Sequence, residues 1–371
     1  MTKLLKKLIL NIYKMKTYIK FLCNIFLKSF FYVLLVMFSL VFILNLLSEL
    51  EFFKDIEIGI NFTLLLSLLN SPSMIFEMFP FIFLLTTQFF FIKLFNNNEL
   101  EVFKYSGLKN SNILLILSLL SFLISIIIII VFYNFSANFK NFYLEKKSQY
   151  TSDGKYLAVI TKNGLWIKDE IDNKIYIINS SEIKDNFLIN NFITEFNDDY
   201  EVIRNLQSKK IDIKEKIWSI YNAKIYNNND YEIKELLEIK TNFDYKRIKT
   251  LYSNLSSLSI LQLFELKNNY KKLNYSLTEV NLQILKILAY PIYLVLITIM
   301  SALIMLKIKR LDNTTLKISL GLFISVIIYY INNFFLVMGS TERIPLIFAI
   351  FIPLILLGLL NSYMVYRINE K

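Results

Sequence analysis

Long apolar runs and one long polar interval divide the chain. The runs lie at about Phe21–Leu47, Phe62–Phe95, Ile113–Phe135, Leu282–Leu306, Ile318–Met338 and Ile344–Tyr366. Each matches or exceeds the roughly 20 apolar residues that cross the hydrocarbon of a bilayer as a helix. Between Leu144 and Asn281 no run reaches that length. The pattern predicts three membrane-spanning helices, a soluble insert, and three more spans. Domain bounds follow at 1–143, 144–245, 246–281 and 282–371.

Inside the insert the apolar spacing changes to alternation, as in Phe192/Thr194/Phe196 and Leu165/Ile167. Predicted strands are Tyr156–Thr161, Gly164–Asp169, Lys174–Asn179, Asn191–Phe196, Tyr200–Leu206, Lys209–Ile213, Ile217–Ala223 and Lys224–Tyr226. Asp153-Gly154, Asn163-Gly164 and Asp172-Asn173 mark turns. Many short strands between turn pairs predict an antiparallel sandwich or jelly roll. Trp166, Trp218, Tyr176 and Phe196 suit either a solid core or an apolar groove. A helix is predicted at Ile260–Lys272, because Ser259 and Gln262 form a capping box and Ile260, Leu263, Phe264 and Lys267 share a face.

The polar breaks between runs carry their own signals. In Asn96–Asn112, Asn97 or Asn98 can cap a short helix. Glu99 and Glu101 suit its first turn, and Gly107 can end it in a left-handed cap. Leu100, Phe103 and Lys104 then share one side. A solvated loop and a docking helix both fit this stretch. Pro72 and Pro80 fall in the second run and Pro291 in the fourth, where proline frees a carbonyl and bends a helix. Glu77 lies near that bend, either as an intramembrane site or at the interface.

Charge fixes the expected orientation. Lys3, Lys6, Lys7, Lys14, Lys16 and Lys20 precede the first run. Lys104 and Lys109 follow the second, Lys307, Lys309, Arg310 and Lys317 follow the fourth, and Arg367 and Lys371 follow the sixth. With six spans these groups share one side, which the positive-inside rule makes cytoplasmic; the insert is then outside. The first run is too long for a signal-peptide core and reads as a retained span. The net charge of +11 comes from bases gathered beside the runs, so it reports topology rather than nucleic-acid binding. A hydrophobic share of 55% agrees with a polytopic membrane protein.

Candidate chemistry is sparse. There is no histidine, and Cys23 is the lone cysteine. The commonest transition-metal ligands are therefore lacking, and a histidine-based triad and an intrachain disulfide are excluded. The chain has no GxxxxGK[ST] phosphate loop, GxSxG elbow or HExxH pair. No cofactor is expected on this chain.

Four stretches, SPSMIFEMFP (71–80), NNNELEVFKYSGL (96–108), GKYLAVITKNGLWIKD (154–169) and LSSLSILQLFELKNNYKKL (255–273), stand in an order and spacing that resembles the LptF/LptG permeases of the lipopolysaccharide export ABC transporter. The run Gly164–Asp169 is more similar to the LptG branch. The resemblance implies an α-helical membrane protein with six transmembrane helices (3+3) and an inserted periplasmic antiparallel β-jelly-roll domain. It implies a non-catalytic subunit in the inner membrane of a Gram-negative bacterium, both termini cytoplasmic. Its partners would be a sister permease subunit, a cytoplasmic ATPase dimer that uses the ATP, and a single-span periplasmic β-jelly-roll bridge protein, with lipopolysaccharide as cargo. Glu99, Leu100, Phe103, Lys104 and Gly107 would couple to the ATPase. The first and fifth spans would form a lateral gate. Trp166, Ile167, Tyr176, Ile178 and Trp218 would line an apolar groove for acyl chains. Asn45 stands where some relatives carry Lys; with Lys54, Lys140, Lys146 and Lys147 it is a candidate for lipid phosphate contact. Competing expectations are a lipoprotein-release permease, a permease for another glycolipid, and a membrane-anchored lipid-modifying enzyme.

Overall fold

The structure, a computed structural model, describes residues 16–54, 58–148, 150, 165–171, 174–184, 186–197, 199–227, 230–245, 248, 254–272, 276–307 and 314–369. The predicted strand Tyr156–Thr161 and the turns at Asp153-Gly154, Asn163-Gly164 and Asp172-Asn173 lie outside these residues. So do Lys3 to Lys14, Lys309, Arg310 and Lys371. The chain divides into two compact units, a helical one within Met1–Ser136 and Asn281–Lys371, and the insert within Ala137–Val280.

Helices α1 (Thr17–Phe52) and α2 (Ile60–Asn96) are followed by a seven-residue helix, α3 (Glu99–Tyr105). Next comes α4, built from Asn110–Ile127, a π-helical turn Ile128–Tyr133, and Asn134–Ser148. After the insert's helix α5 (Ile260–Lys272) come α6 (Thr278–Lys307), α7 (Thr314–Ser340) and α8 (Leu346–Asn369). Among the described residues six helices are long and apolar enough to cross a membrane. They outrun the apolar stretches that predicted them. At about 1.5 Å per residue α2 is roughly 55 Å long, against about 30 Å of hydrocarbon, so its ends extend beyond the apolar layer.

α2 is the hub of the helical unit. In its apolar stretch 72% of residues are buried, against 67% in α6, 22% in α1 and 11% in α7. Pro80 has no N–H, so the carbonyl of Phe76 has no donor within the helix. The Tyr290 hydroxyl of α6 donates to that oxygen at 2.5 Å, and its ring stacks on Phe76 at 4.8 Å. The proline is therefore packed within the helix, with its polar cost met from a neighbouring helix. Ser301 of α6 donates to Leu84 O at 2.9 Å. On the side toward α7, Gly321 has no side chain, and a Cβ there would lie 1.7 Å from Gln88 Nε2. Such small-residue approaches and interhelical hydrogen bonds hold helices together where lipid removes the hydrophobic drive.

In the insert, β1 (Leu165–Ile171), β2 (Lys174–Lys184), β3 (Phe187–Phe196), β4 (Val202–Asp212), β5 (Ile217–Asn227) and β6 (Asp230–Lys240) form one antiparallel sheet in sequence order. The inserted antiparallel β domain is as expected. Its described strands follow one another as a meander rather than by the crossovers of a jelly roll. Tyr200–Leu206 and Lys209–Ile213 belong largely to the single strand β4, and Ile217–Ala223 and Lys224–Tyr226 are one β5. β6 was not predicted. As an edge strand with Glu232, Lys234, Glu235 and Glu238 along it, it is exposed along most of its length and lacks alternation of burial.

A crease explains the split strands. Regular pairing lapses at Ser181, Asn190, Lys209, Asn222 and Glu235, which lie on one line across β2 to β6. Asn190 and Asn222 have φ of 51° and 49°, in the left-handed region where Asn is among the better tolerated residues. Across that line the buried positions step by three instead of two: Leu188 to Asn191, Ser208 to Ile211, Ile220 to Ala223. Along the crease side chains donate to main-chain carbonyls. Ser180 Oγ donates to Ile189 O at 3.0 Å, Asn191 Nδ2 to Leu188 O at 2.9 Å, and Ser208 Oγ to Tyr221 O at 2.6 Å. Both halves of β3, β4 and β5 thus turn their apolar residues to the same interior.

Candidate functional site

Three regions concentrate the residues singled out by sequence. The first is α3. Asn98 precedes it at φ 54°, and Asn97 Nδ2 donates to Glu99 Oε1 at 3.1 Å. The other carboxylate oxygen of Glu99 is buried, with no hydrogen-bond partner among the described residues. Leu108 N–H donates to Phe103 O at 2.9 Å and Gly107 N–H to Lys104 O at 3.0 Å, which closes the helix around Gly107 at φ +80°. That is a Schellman cap, and its left-handed residue is best served by glycine.

The sides of α3 are not those the spacing suggested. Leu100 is buried in a cluster with Leu22, Phe26, Phe91 and Ile113, and Phe103 packs on its edge. These two anchor α3 to the bundle. Lys104 and Gly107 are exposed, and so are Val102 at 60% and Tyr105 at 90%. Val102 and Tyr105, three apart and hence on one face, form the outward apolar surface that sequence reading missed. Seven residues are too few for a periodic pattern to tell the anchored side from the free side.

The second region comprises the candidate phosphate contacts. Asn45 is buried. Its Nδ2 donates to Ser71 Oγ at 3.2 Å, and its Oδ1 accepts from Asn70 Nδ2 at 3.1 Å. In this arrangement its polar atoms tie α1 to α2. Lys54 is exposed. In the insert unit, Lys147 is buried and donates to Tyr143 Oη at 3.0 Å, while the half-buried Lys146 lies 5.4 Å from the Phe142 ring centre. Lys140 is half-buried.

The third region is the inner face of the sheet. Ile167, Ile178, Ile193, Leu206 and Ile225 are cross-strand partners in turn, and each is buried. Each such side chain contributes about 1.5–3 kcal/mol relative to exposure. Of the candidate groove residues, Ile167 and Ile178 belong to this rung. Trp218 is buried on the far side of the crease, with Nε1–H donating to Phe243 O at 2.8 Å. Trp166 points outward and is 52% exposed. Tyr176 sits one rung along, where the face turns polar: Asp169, Tyr176, Glu195 and Arg204 pair across the strands. Glu195 is fully buried and bound by Lys174 at 2.8 Å and Arg204 at 2.5 Å. Burial alone would raise its pKa, but the hydrogen bonds and charges of Lys174 and Arg204 hold it below the usual carboxylate range. The same bond raises Lys174, and burial followed by the Glu195 charge raises Tyr176. Asp169 accepts from Asn242 N and Nδ2 at 2.9 and 2.8 Å. In this conformation the apolar interior is a closed core, bounded at one end by polar groups.

Among the described residues no group of three or more acids or cysteines could hold a metal ion. No curated protein matches the chain. A family model described as lipopolysaccharide export system permease LptF/LptG matches residues 20–367, from within α1 to within α8, with the four long apolar helices between them and the insert. With that match over nearly its whole length, the chain belongs to the LptF/LptG family of lipopolysaccharide export permeases, as a multi-pass membrane member.

Proposed function

We propose that this chain is one of two permease subunits of an ATP-driven exporter, nearer the LptG type. It takes lipopolysaccharide from the outer leaflet of the inner membrane and hands it to a periplasmic bridge protein. The chain binds no nucleotide; a dimer of cytoplasmic ATPase subunits supplies the energy. The observation that carries this reading is α3. It is anchored by Leu100 and Phe103, presents Val102 and Tyr105 outward, and leaves one buried Glu99 oxygen without a donor. An orphaned acceptor of that kind costs free energy until a partner supplies a donor. Lys104 and Gly107 complete the exposed end.

The spans support a lateral entry. α1 and α7 leave most of their apolar stretches uncovered, as expected of helices that face lipid and a sister subunit. The insert, on the periplasmic side with both termini cytoplasmic, would receive acyl chains along the rung of Ile167 and Ile178. Exposing that rung to water forgoes its burial energy. Exchanging its partners for acyl methylenes, each about 0.8 kcal/mol in water, does not. Trp218, Tyr176 and Trp166 would flank the path. Lys54, Lys140 and Lys146 are the candidate phosphate contacts, while Lys147 is buried and already donates to Tyr143.

The test is Val102→Asp and Tyr105→Ala in the complete transporter. Loss of a central aromatic contact is expected to cost about 2 kcal/mol, roughly thirtyfold in affinity for the ATPase. The permease should still insert and fold. Unchanged ATPase retention and unchanged coupled turnover in both variants would sink the assignment.

A further inference from the structure

α2, α6, α7 and α8 line a cavity of about 280 Å³ inside the helical unit. Its wall holds Glu77 of α2 and Lys286 of α6, one charge of each sign. Among the described residues neither side chain makes an ion pair or a hydrogen bond. Ionisable side chains in spanning helices are expensive and mark sites. Glu77 lies between Pro72 and Pro80, and Lys286 lies about 12 Å along α6 from Thr278, at the end that leads to the insert.

The rest of the wall sorts into two kinds. Tyr290 has committed its hydroxyl to Phe76, so these two line the cavity beside Glu77 as aromatic rings, joined by Tyr293 and Tyr329. Asn332 and Asn333 of α7 offer amide donors. A carboxylate with aromatic faces suits an ammonium group, by hydrogen bonding and by cation–π attraction. A lysine with amide donors suits a phosphate. The cavity is at the lower edge of the roughly 300–1,000 Å³ usual for drug-sized ligands, so it holds a headgroup and leaves acyl chains outside. Glu77 and Asn333 are exposed, which opens it to the side.

We propose that this cavity is a binding site for a zwitterionic ammonium–phosphate headgroup, such as that of phosphatidylethanolamine, with Glu77 taking the ammonium and Lys286 the phosphate. A purely anionic headgroup leaves Glu77 facing it unmatched. A quaternary ammonium cannot donate a hydrogen bond to the carboxylate. The site does not depend on the export reading and stands or falls separately from it.

The experiment uses the full chain in nanodiscs containing phosphatidylethanolamine, phosphatidylglycerol or phosphatidylcholine, with retained lipid counted by native mass spectrometry. The wild type should retain the ethanolamine lipid over both others. Glu77→Gln should lower that retention about tenfold, the scale of one charge-assisted hydrogen bond, and raise retention of the glycerol lipid. Lys286→Gln should lower retention of both. Soluble O-phosphoethanolamine, added to the wild type, needs no variant. Displacement of the lipid supports the site with the headgroup sufficient, and saturable binding without displacement supports it with the intact lipid preferred. Equal retention of all three lipids by the wild type, or wild-type retention in both variants, overturns the proposal.

Discussion

Tyr290→Phe isolates a single hydrogen bond in the helical unit. The substitution keeps the ring that stacks on Phe76 and removes only the hydroxyl that donates to the Phe76 carbonyl at 2.5 Å. Both residues are buried, so water cannot readily replace the lost donor. Because Pro80 cannot supply an N–H to that oxygen, the carbonyl is orphaned. An unmet buried acceptor costs about 1–3 kcal/mol. Interhelical side-chain bonds in membranes average about 0.6 and reach about 1.7 kcal/mol, because the reference state also finds partners. A loss of about 1–2 kcal/mol is therefore expected. Pro80→Ala restores an N–H four residues after Phe76, so in that background Tyr290→Phe should cost less than about 0.5 kcal/mol. The assay is a double-mutant cycle on reversible unfolding of the detergent-solubilised chain. Equal losses in the two backgrounds, or no loss in either, would refute the pairing of the hydroxyl with the proline-freed carbonyl.

Gly321→Ala should destabilise the same unit by about 1–3 kcal/mol, because the new Cβ would collide with the buried Gln88 amide, and Gln88→Ala should relieve most of that loss in the double variant. In the insert, the depressed Glu195 pKa stabilises the fold fully above the ordinary carboxylate value of about 4.3, and this contribution fades as pH falls through the lower folded value. Glu195→Gln should therefore be less stable than wild type at neutral pH and converge with it in acid. Fluorescence of Trp166 and Trp218, the chain's two tryptophans, reads the insert alone.

The spans were legible because bilayer thickness imposes a length on apolar runs; five of the six runs fell inside a helix, and the sixth began two residues ahead of Leu346. Their ends were not, since segments such as Asn134–Ser148 continue α4 in polar sequence, where periodicity is weak. In the insert, period two located the strands but cut them at the crease. Asn179, Asn191, Lys209 and Ala223 lie at or beside the line where alternation shifts phase, and a phase shift reads as a strand end. β6 escaped because it has almost no buried face. At α3 the capping residues around Glu99 and Gly107 were legible from local chemistry. The choice of Leu100 rather than Val102 as the anchored side depends on contacts with Leu22 and Ile113, far along the chain. Asn45 illustrates the same limit: its residue type suits a headgroup, but Ser71 and Asn70 occupy it.

The crease across β2 to β6 also bears on how the sheet keeps its alignment. In a flat sheet a strand that slips by one residue turns its apolar set to solvent, whereas a slip of two restores the same face and is poorly resisted. Here a slip of two would carry the three-residue step of that strand off the common line. Ser208 would no longer meet the carbonyl of Tyr221, and Asn191 and Ile211 would face the wrong neighbours. Odd slips are rejected by burial and even slips by the fold line, so each of the central strands β3, β4 and β5 has a single acceptable alignment. The exchange of partners proposed for this apolar interior would gain from that arrangement: the interior could loosen without the strands losing count.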